Sequence, residues 1–473
     1  LIKNFIEQGG KMKIRIVIGV LFCCILFCFS CEEESFYVYQ RDYELPWPEW
    51  IFSHWVWEDE GTQESIIELV DGYLNRNIPV GAIVIDSPWE AGTGGDPTKG
   101  YNTFEWDNNL YPDPKGMVDY FHSKGIKVMI WITCVINTDA PNYQYAKDKG
   151  YFLKDGAVYQ WWKGYGSWID YKNPEAVEYW HSLMDRILDL GIDGWKVDGA
   201  DFSLYEQDNE ALWDEYKELY YRDFFDYTRE KLGNDRVITA RPIDATMLPS
   251  YRTVSPFAPQ DINFCGWVGD QPTNWKGIRM ALDNILLSAK MGYLGAGSDI
   301  GGYMTWAYIK EVFIRWGQFG AFCPIMEVAN GGFGGTFTPW DFDEQTARIY
   351  RKFVNIHYDL IPYFDKQYEI AWNEGRSMIL PPSGTWDDYN AEAEYGDPDY
   401  ILDEVDYSYK LGPDIFVAIM YEPGTSRSIT FPEGDNWVDW WDGTVYTGGT
   451  TIDYSCPLDK FPAFRREGAS FPR

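Results

Sequence analysis

Eight short apolar runs, each followed by an amphipathic stretch, recur between Trp50 and Val328 of this 473-residue chain. They are WIFSHWVW (from Trp50), GAIVIDSPW (from Gly81), KVMIWITC (from Lys127), GWKVDGA (from Gly194), RVITARPI (from Arg236), FCGWVGD (from Phe264), YLGAGSDIGG (from Tyr293) and FCPIMEV (from Phe322). Continuous apolar runs of this length suit parallel strands buried on both faces. Between them, stretches such as ESIIELVDGYLNRN, GMVDYFHSKG and PEAVEYWHSLMDRILDLG repeat apolar residues at helical spacing. Gly125, Gly191 and Gly233 fall where helices would end. The rhythm predicts a (β/α)8 barrel over residues 48–375. An open doubly wound sheet would carry a Gly-rich phosphate loop after an early strand, and none is present. Polar residues gather where the strands end: Asp86, Asp198, Arg241, Asp270, Asp299 and Glu327. That is the end at which such barrels build active sites. Beyond Trp372 the helical period fades and turn-rich runs (DIFVAIMY, RSITFP, NWVDWWDGTVYTGG) take over. They predict a small C-terminal antiparallel β-sandwich over residues 376–473.

The first residues read as a targeting segment. Lys11, Lys13 and Arg15 precede the apolar run Ile16–Ser30, then Cys31 and three glutamates. The run is shorter than the ~20 residues a membrane-spanning helix needs and matches a signal-peptide core. Ser30–Cys31 resembles a bacterial lipoprotein cleavage site, with Cys31 the lipidated residue, although Cys28 stands where leucine is usual. Residues 1–31 are therefore expected to be a signal, with ordinary signal cleavage or an uncleaved anchor as the alternatives to lipidation, and 32–47 a linker. The expected location is the periplasm or cell surface of a Gram-negative bacterium, with membrane contact only through that anchor.

Composition narrows the chemistry. With 73 acidic against 40 basic residues, the formal charge of -33 repels phosphate backbones and acidic polymers, excluding nucleic acid as a partner. Outside the signal, Cys134, Cys265, Cys323 and Cys456 form no CxxC pair, and the four histidines show no metal-ligand spacing. No P-loop or GxSxG elbow is present, so neither metal nor cofactor is expected. Carboxylate chemistry remains. The aromatic share of 18% adds a weak pointer to sugar-ring stacking.

The stretch DGWKVDGAD, Asp193–Asp201, concentrates the charge. Residues two apart on a strand share a face, so Lys196 and Asp198 both face the barrel interior or mouth. A cation there would keep Asp198 ionised, as a nucleophile requires. The bland alternative is a buried Lys196–Asp198 ion pair that merely closes the barrel. Asp193 reads as a loop residue, and Asp201 as a supporting carboxylate or a helix N-cap. Two strand–helix units later, GWVGDQ places Asp270 near Trp267, where an apolar mouth would raise its pKa and make it an acid. By itself it reads as a helix cap. One ionised and one protonated carboxyl are what glycoside cleavage uses.

These residues, in the order IDSPW, FEWD, YPDPKGM, KVMIWI, DGWKVDGAD, TARP, GWVGDQ and SDIGGY, resemble glycoside hydrolase family 31. NWVDWWDGTVYTGG and PLDKFPAFRREG resemble that family's proximal C-terminal domain. The resemblance implies Asp198 as nucleophile and Asp270 as general acid/base. It implies Asp86 as a holder of terminal-sugar hydroxyls, Arg241 and Trp267 as lining of the same subsite, and Trp131 as an aromatic wall, with barrel core as its plain alternative. Lys196 matches a lysine of some members and Asp299 a supporting carboxylate. Glu327 stands where many members carry a substrate-binding histidine. The large N-terminal β-sandwich of the family, which lends a loop to the pocket, is not seen between Cys31 and the barrel, so a pocket more open or completed by a partner is expected. The distal C-terminal domain is not seen either, as a fragment or a compact subfamily would each explain. The implied activity is that of a retaining exo-α-glycosidase acting on an oligosaccharide or glycoside, α-glucosidase-like. An α-galactosidase or α-xylosidase of the same or a related barrel family is the alternative, and a catalytically silent glycan-binding lipoprotein the rival of another class.

Overall fold

In the computed structural model, described over residues 44–96, 98–243, 256–304, 308–330, 337–386 and 406–471, all eight apolar runs contribute a strand to one parallel sheet. The signal run and Cys31 lie outside the described residues. The strands are β1 (His54–Glu58), β2 (Ala82–Ile85), β3 (Lys127–Ile132), β4 (Gly194–Val197), β5 (Val237–Ala240), β6 (Gly266–Val268), β7 (Ala296–Ile300) and β8 (Met326–Asn330). Their order is β5-β4-β3-β2-β1-β8-β7-β6, which leaves one seam without a ladder, between β5 and β6. Side chains bridge it. Thr239 donates its hydroxyl to the Cys265 carbonyl at 2.7 Å, and the Asn263 amide donates to the Ala240 carbonyl at 2.9 Å. Cys265 Sγ reaches the Ile238 carbonyl at 3.2 Å. Short polar side chains thus satisfy backbone groups that a regular ladder would have paired.

The helices start where local chemistry allows. Thr62 caps Gln63–Leu74 through a reciprocal bond with Ser65, and Asp113 caps Pro114–Ser123, whose leading proline has no amide hydrogen to lose. Gly125 and Gly191 end their helices at φ +75° and +84°, a conformation costly for residues with a Cβ. Buried Trp and Ile side chains line both faces of the strands, and the histidines His54 and His357 belong to this core. Burial drives both imidazoles down, to about 3 and about 4, so they serve as neutral hydrogen-bonding groups.

Two additions shape the mouth and flank of the barrel. Between β3 and β4 the chain inserts three antiparallel strands, Val135–Asn137, Tyr159–Trp161 and Gly164–Trp168. The two-residue turn of its hairpin is Trp162–Lys163. After the 31-residue helix Glu344–Glu374, the chain builds antiparallel sheets of six and two strands around Phe416, Phe431, Trp437 and Phe464. The barrel grips this region through Arg315, which is buried and donates to the carbonyls of Cys456 (2.8 Å), Lys460 (2.9 Å) and Gly424 (3.2 Å). From Leu45 onward the chain is one compact unit. Cys134, Cys265, Cys323 and Cys456 are all buried free thiols.

Candidate active site

The period-two alternation of β4 puts Lys196 and Asp198 on the same side, as expected, yet they do not pair with each other. Lys196 Nζ donates to Asp86 Oδ2 at 2.7 Å, across to the end of β2. Its ammonium also lies 3.8 Å from the ring centre of Trp57 and 4.0 Å from that of Trp267. Burial acts to lower its pKa, but the charges of Asp86, Asp299 and Asp198 outweigh that and raise it. The Lys196–Asp198 ion pair considered above is thus replaced by Lys196–Asp86. Asp198 takes its cation from β5 instead. Arg241 Nε donates to Asp198 Oδ1 at 2.9 Å, joined by the Gly199 amide at 2.7 Å, while Trp131 Nε1 donates to Oδ2 at 3.0 Å. Burial pushes the Asp198 carboxyl up, but Arg241, Lys196 and the Trp131 bond together hold it below its ordinary range. Asp198 is a buried, ionised carboxylate. Trp131 is both barrel wall and direct ligand to it.

The other two acids of the DGWKVDGAD stretch are structural. Asp193 accepts from Lys127 (2.9 Å), His122 (2.7 Å) and the Val128 amide (3.0 Å) at the opposite end of the strand. Asp201 occupies a helix N-cap position without capping it, and accepts from Trp213 Nε1 (2.7 Å) and Tyr221 OH (3.0 Å).

Asp270 follows β6 in a left-handed turn, φ +67°. A Cβ on the preceding Gly269 would lie 2.2 Å from the Trp267 ring, so only glycine allows the chain to fold this tightly over the indole. The Asp270 amide donates to Asp299 Oδ2 at 2.9 Å, and its carboxylate is paired with Arg241 Nη2. The expected apolar bed for Asp270 is absent. Trp267 presents its face to two cations, with the Arg241 guanidinium 3.8 Å from the ring centre, and donates Nε1 to Asp299 Oδ1 at 2.7 Å. Arg241 therefore binds both candidate catalytic carboxylates along one edge of its guanidinium.

Asp299 is fully buried beneath this layer. Burial pushes its carboxyl up to about 7, against the pull of Lys196, while it anchors both Trp267 and the Asp270 backbone. Glu327 pairs in register with Asp299 and Trp55 and is 2% exposed. Its Oε1 has no hydrogen-bond partner among the described residues, and burial raises its carboxyl well above the usual range. Glu327 sits under the pocket as a neutral acid and is not among the residues of the pocket wall. Glu327 therefore does not reach the pocket in the way its place at a strand end suggested.

Above these groups opens a cavity of about 270 Å³. That is near the lower end of the ~300–1,000 Å³ typical of small-molecule sites. Asp86, Trp131, Lys196, Asp198, Arg241, Trp267 and Asp270 line it, together with Trp57, Asp59, Trp162, Lys163 and Tyr303, which the sequence reading did not single out. Asp59 was signalled by the paired acids that end β1 in WVWED. Trp162 and Lys163 come from the hairpin turn of the insert, whose position over the mouth has no local sequence signal. Among the described residues no cluster of His, Cys, Asp or Glu is placed to hold a metal ion. The arrangement offers one ionised carboxylate held by two cations, a second carboxylate across the same guanidinium, and indole rings on which a sugar face could rest.

Comparison with known proteins places this arrangement in a family. Residues 45–367 match the glycosyl hydrolases family 31 TIM-barrel domain, and residues 394–470 the glycosyl hydrolase family 31 C-terminal domain. Alpha-xylosidase XylQ of Lactiplantibacillus pentosus is 26% identical over 437 residues, covering 87% of this chain and 52% of the xylosidase. Alpha-glucosidase 2 of Bacillus thermoamyloliquefaciens is 26% identical, covering 86% of this chain and 51% of its own length. The chain thus spans about half the length of the curated relatives it matches. Among solved structures, the Flavobacterium johnsoniae family 31 dextranase complexed with glucose superposes with a TM-score of 0.72 at 22% identity, over 90% of this chain and 52% of the dextranase. The cycloalternan-forming enzyme of Listeria monocytogenes gives 0.72 at 23% identity, over 90% and 42%. These likenesses confirm the fold, and the match over most of its length shows that the chain belongs to glycosyl hydrolase family 31.

Proposed function

We propose that this chain carries a retaining exo-α-glycosidase activity, with Asp198 the nucleophile and Asp270 the general acid/base. The observation that carries the reading is Arg241, which holds an oxygen of each carboxylate on one guanidinium edge inside a single small pocket. Asp198, kept ionised, would attack the anomeric carbon of an α-linked terminal sugar. Asp270 would protonate the departing oxygen and then deprotonate the water that releases the sugar. Buried Trp131 and the Gly199 amide fix the nucleophile's orientation before substrate arrives, which lowers the cost of reaching the attack geometry. A cavity of this small volume, walled by Trp57, Trp131 and Trp267, suits a single terminal ring. The relatives named alpha-glucosidase and alpha-xylosidase support both sugars as candidates.

The test is a panel of aryl α-glucoside, α-xyloside and α-galactoside substrates given to the wild type and to Asp198→Ala. Turnover of at least one by the wild type, lost in the variant, is expected. Binding of these glycosides with no turnover would favour the silent glycan-binding reading.

Export as a lipid-anchored protein is proposed on the sequence pattern of Lys11 to Glu34 alone. Labelling of the expressed protein by a fatty-acid analogue, lost in Cys31→Ala, is the expected result; an unlabelled protein would contradict it.

A further inference from the structure

The end of β1 brings a second acid alongside Asp86. Glu58 of β1 lies opposite Ile85 of β2, so Asp59 and Asp86 leave adjoining strand ends together, and both line the pocket. Their surroundings differ. Asp86 is occupied, with Oδ2 taken by Lys196 at 2.7 Å and Oδ1 by the Ser87 amide at 2.8 Å. Asp59 accepts through Oδ2 from Tyr303 OH at 2.6 Å, and no other hydrogen bond reaches its carboxylate among the described residues. Tyr303 comes from the turn after β7, and its ring lies 5.5 Å from that of Trp57, tilted 33°, so the hydroxyl arrives from a packed support. Asp59 is therefore oriented but not used up.

We propose that Asp59 is a specificity-determining residue of this pocket. Together with Asp86 it captures adjacent hydroxyl groups of the terminal sugar and selects a neutral sugar over one bearing an acidic group. The inference rests on the glycosidase reading and adds the class of sugar to it. Burial and the neighbouring Asp86 charge push the Asp59 carboxyl up to about 7, so its free oxygen can accept from a sugar hydroxyl when ionised and donate to one when protonated. The charge balance points the same way. Lys196 is engaged by Asp86, and Arg241 by Asp198 and Asp270, which leaves Lys163 of the pocket lining as the cation whose charge acts on Asp59. A carboxylate or sulfonate on the incoming ring would add a third acidic group to Asp59 and Asp86, whose mutual repulsion already raises Asp59 against the pull of Lys163. Such crowding of like charge is an effective means of exclusion.

The experiment compares wild type, Asp59→Ala, Asp59→Asn and Tyr303→Phe on the neutral aryl α-glycoside that the wild type cleaves best and on aryl α-glucuronide. Loss of a hydrogen bond to a charged group is worth roughly 10- to 100-fold. Asp59→Ala is expected to lower kcat/KM on the neutral substrate by that factor, mostly through KM, with partial recovery in Asp59→Asn. The wild-type preference for the neutral sugar over the uronide should shrink about tenfold or more in Asp59→Asn, the size of one charge-assisted contact. Tyr303→Phe should fall between wild type and Asp59→Ala. Should the alanine variant not fold, the near-isosteric asparagine and the Tyr303→Phe variants carry the same readout. Neutral-substrate kinetics within threefold of wild type and an unchanged sugar preference would overturn the role of Asp59 while leaving the glycosidase reading intact. A wild type that cleaves no α-glycoside would overturn both.

Discussion

Replacing Arg241 by lysine keeps one positive charge but removes the planar edge that reaches two carboxylates at once. In the native site Nε serves Asp198 at 2.9 Å while Nη2 serves Asp270, and the guanidinium lies over the Trp267 ring, 3.8 Å from its centre. A lysine at this position can satisfy one acid, so at least one charge-assisted bond is lost, worth about 1.5–3 kcal/mol. If that bond matters in the transition state, kcat/KM falls by roughly 10- to 150-fold. The pH profile gives a second reading. Asp198 is held below its ordinary pKa chiefly because Arg241 and Lys196 overcome its burial, so weakening Arg241 raises it. The acid limb of kcat/KM should then move to higher pH in Arg241→Lys, and further in Arg241→Met. The same sign governs stability. A carboxylate with a depressed folded-state pKa stabilises the fold above its unfolded value of about 3.9 and loses that contribution as pH falls through the folded value. Arg241→Met should therefore cost most near neutrality, on the order of 3–5 kcal/mol for an orphaned buried charge, and little in strong acid. Steady-state kinetics on an aryl α-glycoside from pH 4 to 8, with urea unfolding at the same points, measure both. An Arg241→Lys enzyme within threefold of wild type, with an unmoved acid limb, would refute this account of how Asp198 stays ionised.

Gly269→Ala should lower kcat about tenfold or more, because the new methyl must displace Trp267 and overpacking of this kind costs about 1–3 kcal/mol; near-wild-type kinetics would contradict it. Arg315→Leu strips the donors from the carbonyls of Gly424, Cys456 and Lys460. It should lower stability by about 3 kcal/mol or more, since each orphaned buried group costs about 1–3, and calorimetry showing a change below about 0.5 kcal/mol would refute the joint's importance. Glu58 and Glu90 are each pushed up to about 7 by burial, so the native state holds protons that the unfolded chain releases. Their sign is opposite to that of Asp198. Stability is fullest below the unfolded pKa and is lost as pH rises through 7, by on the order of 3 kcal/mol for Glu90. Urea unfolding of the wild type at pH 5.5 and pH 8 should show the lower stability at pH 8, and a flat or rising profile would contradict it.

What could be read in the sequence and what could not divides along physical lines. The eight strands were legible because a strand buried on both faces must be apolar throughout, and GAIVIDSPW or KVMIWITC can hardly be anything else. The side on which Lys196 and Asp198 point followed from alternation alone. Which groups they would meet did not, since strand order brings Asp86 and Arg241 to them from residues 110 and 43 positions away. The seam between β5 and β6 was hidden for the same reason: Thr239, Asn263 and Cys265 look like ordinary small residues until their missing ladder is seen. Glu327 misled because its position after an apolar run signals a pocket acid, while its depth is set by the register of β8 against β7. Trp162 and Tyr303 reach the pocket from an insert and a turn, where the path of the chain and not its period decides what the side chain touches.

The most direct test of the central claim is covalent trapping. A slowly hydrolysed fluorinated α-glycosyl fluoride of the preferred sugar, incubated with the enzyme and followed by peptide mass spectrometry, should leave one glycosyl group on the peptide containing Asp198, and none in Asp198→Ala. A glycosyl group found on another carboxylate, or an active enzyme that releases sugar with inverted anomeric configuration and never becomes labelled, would contradict it.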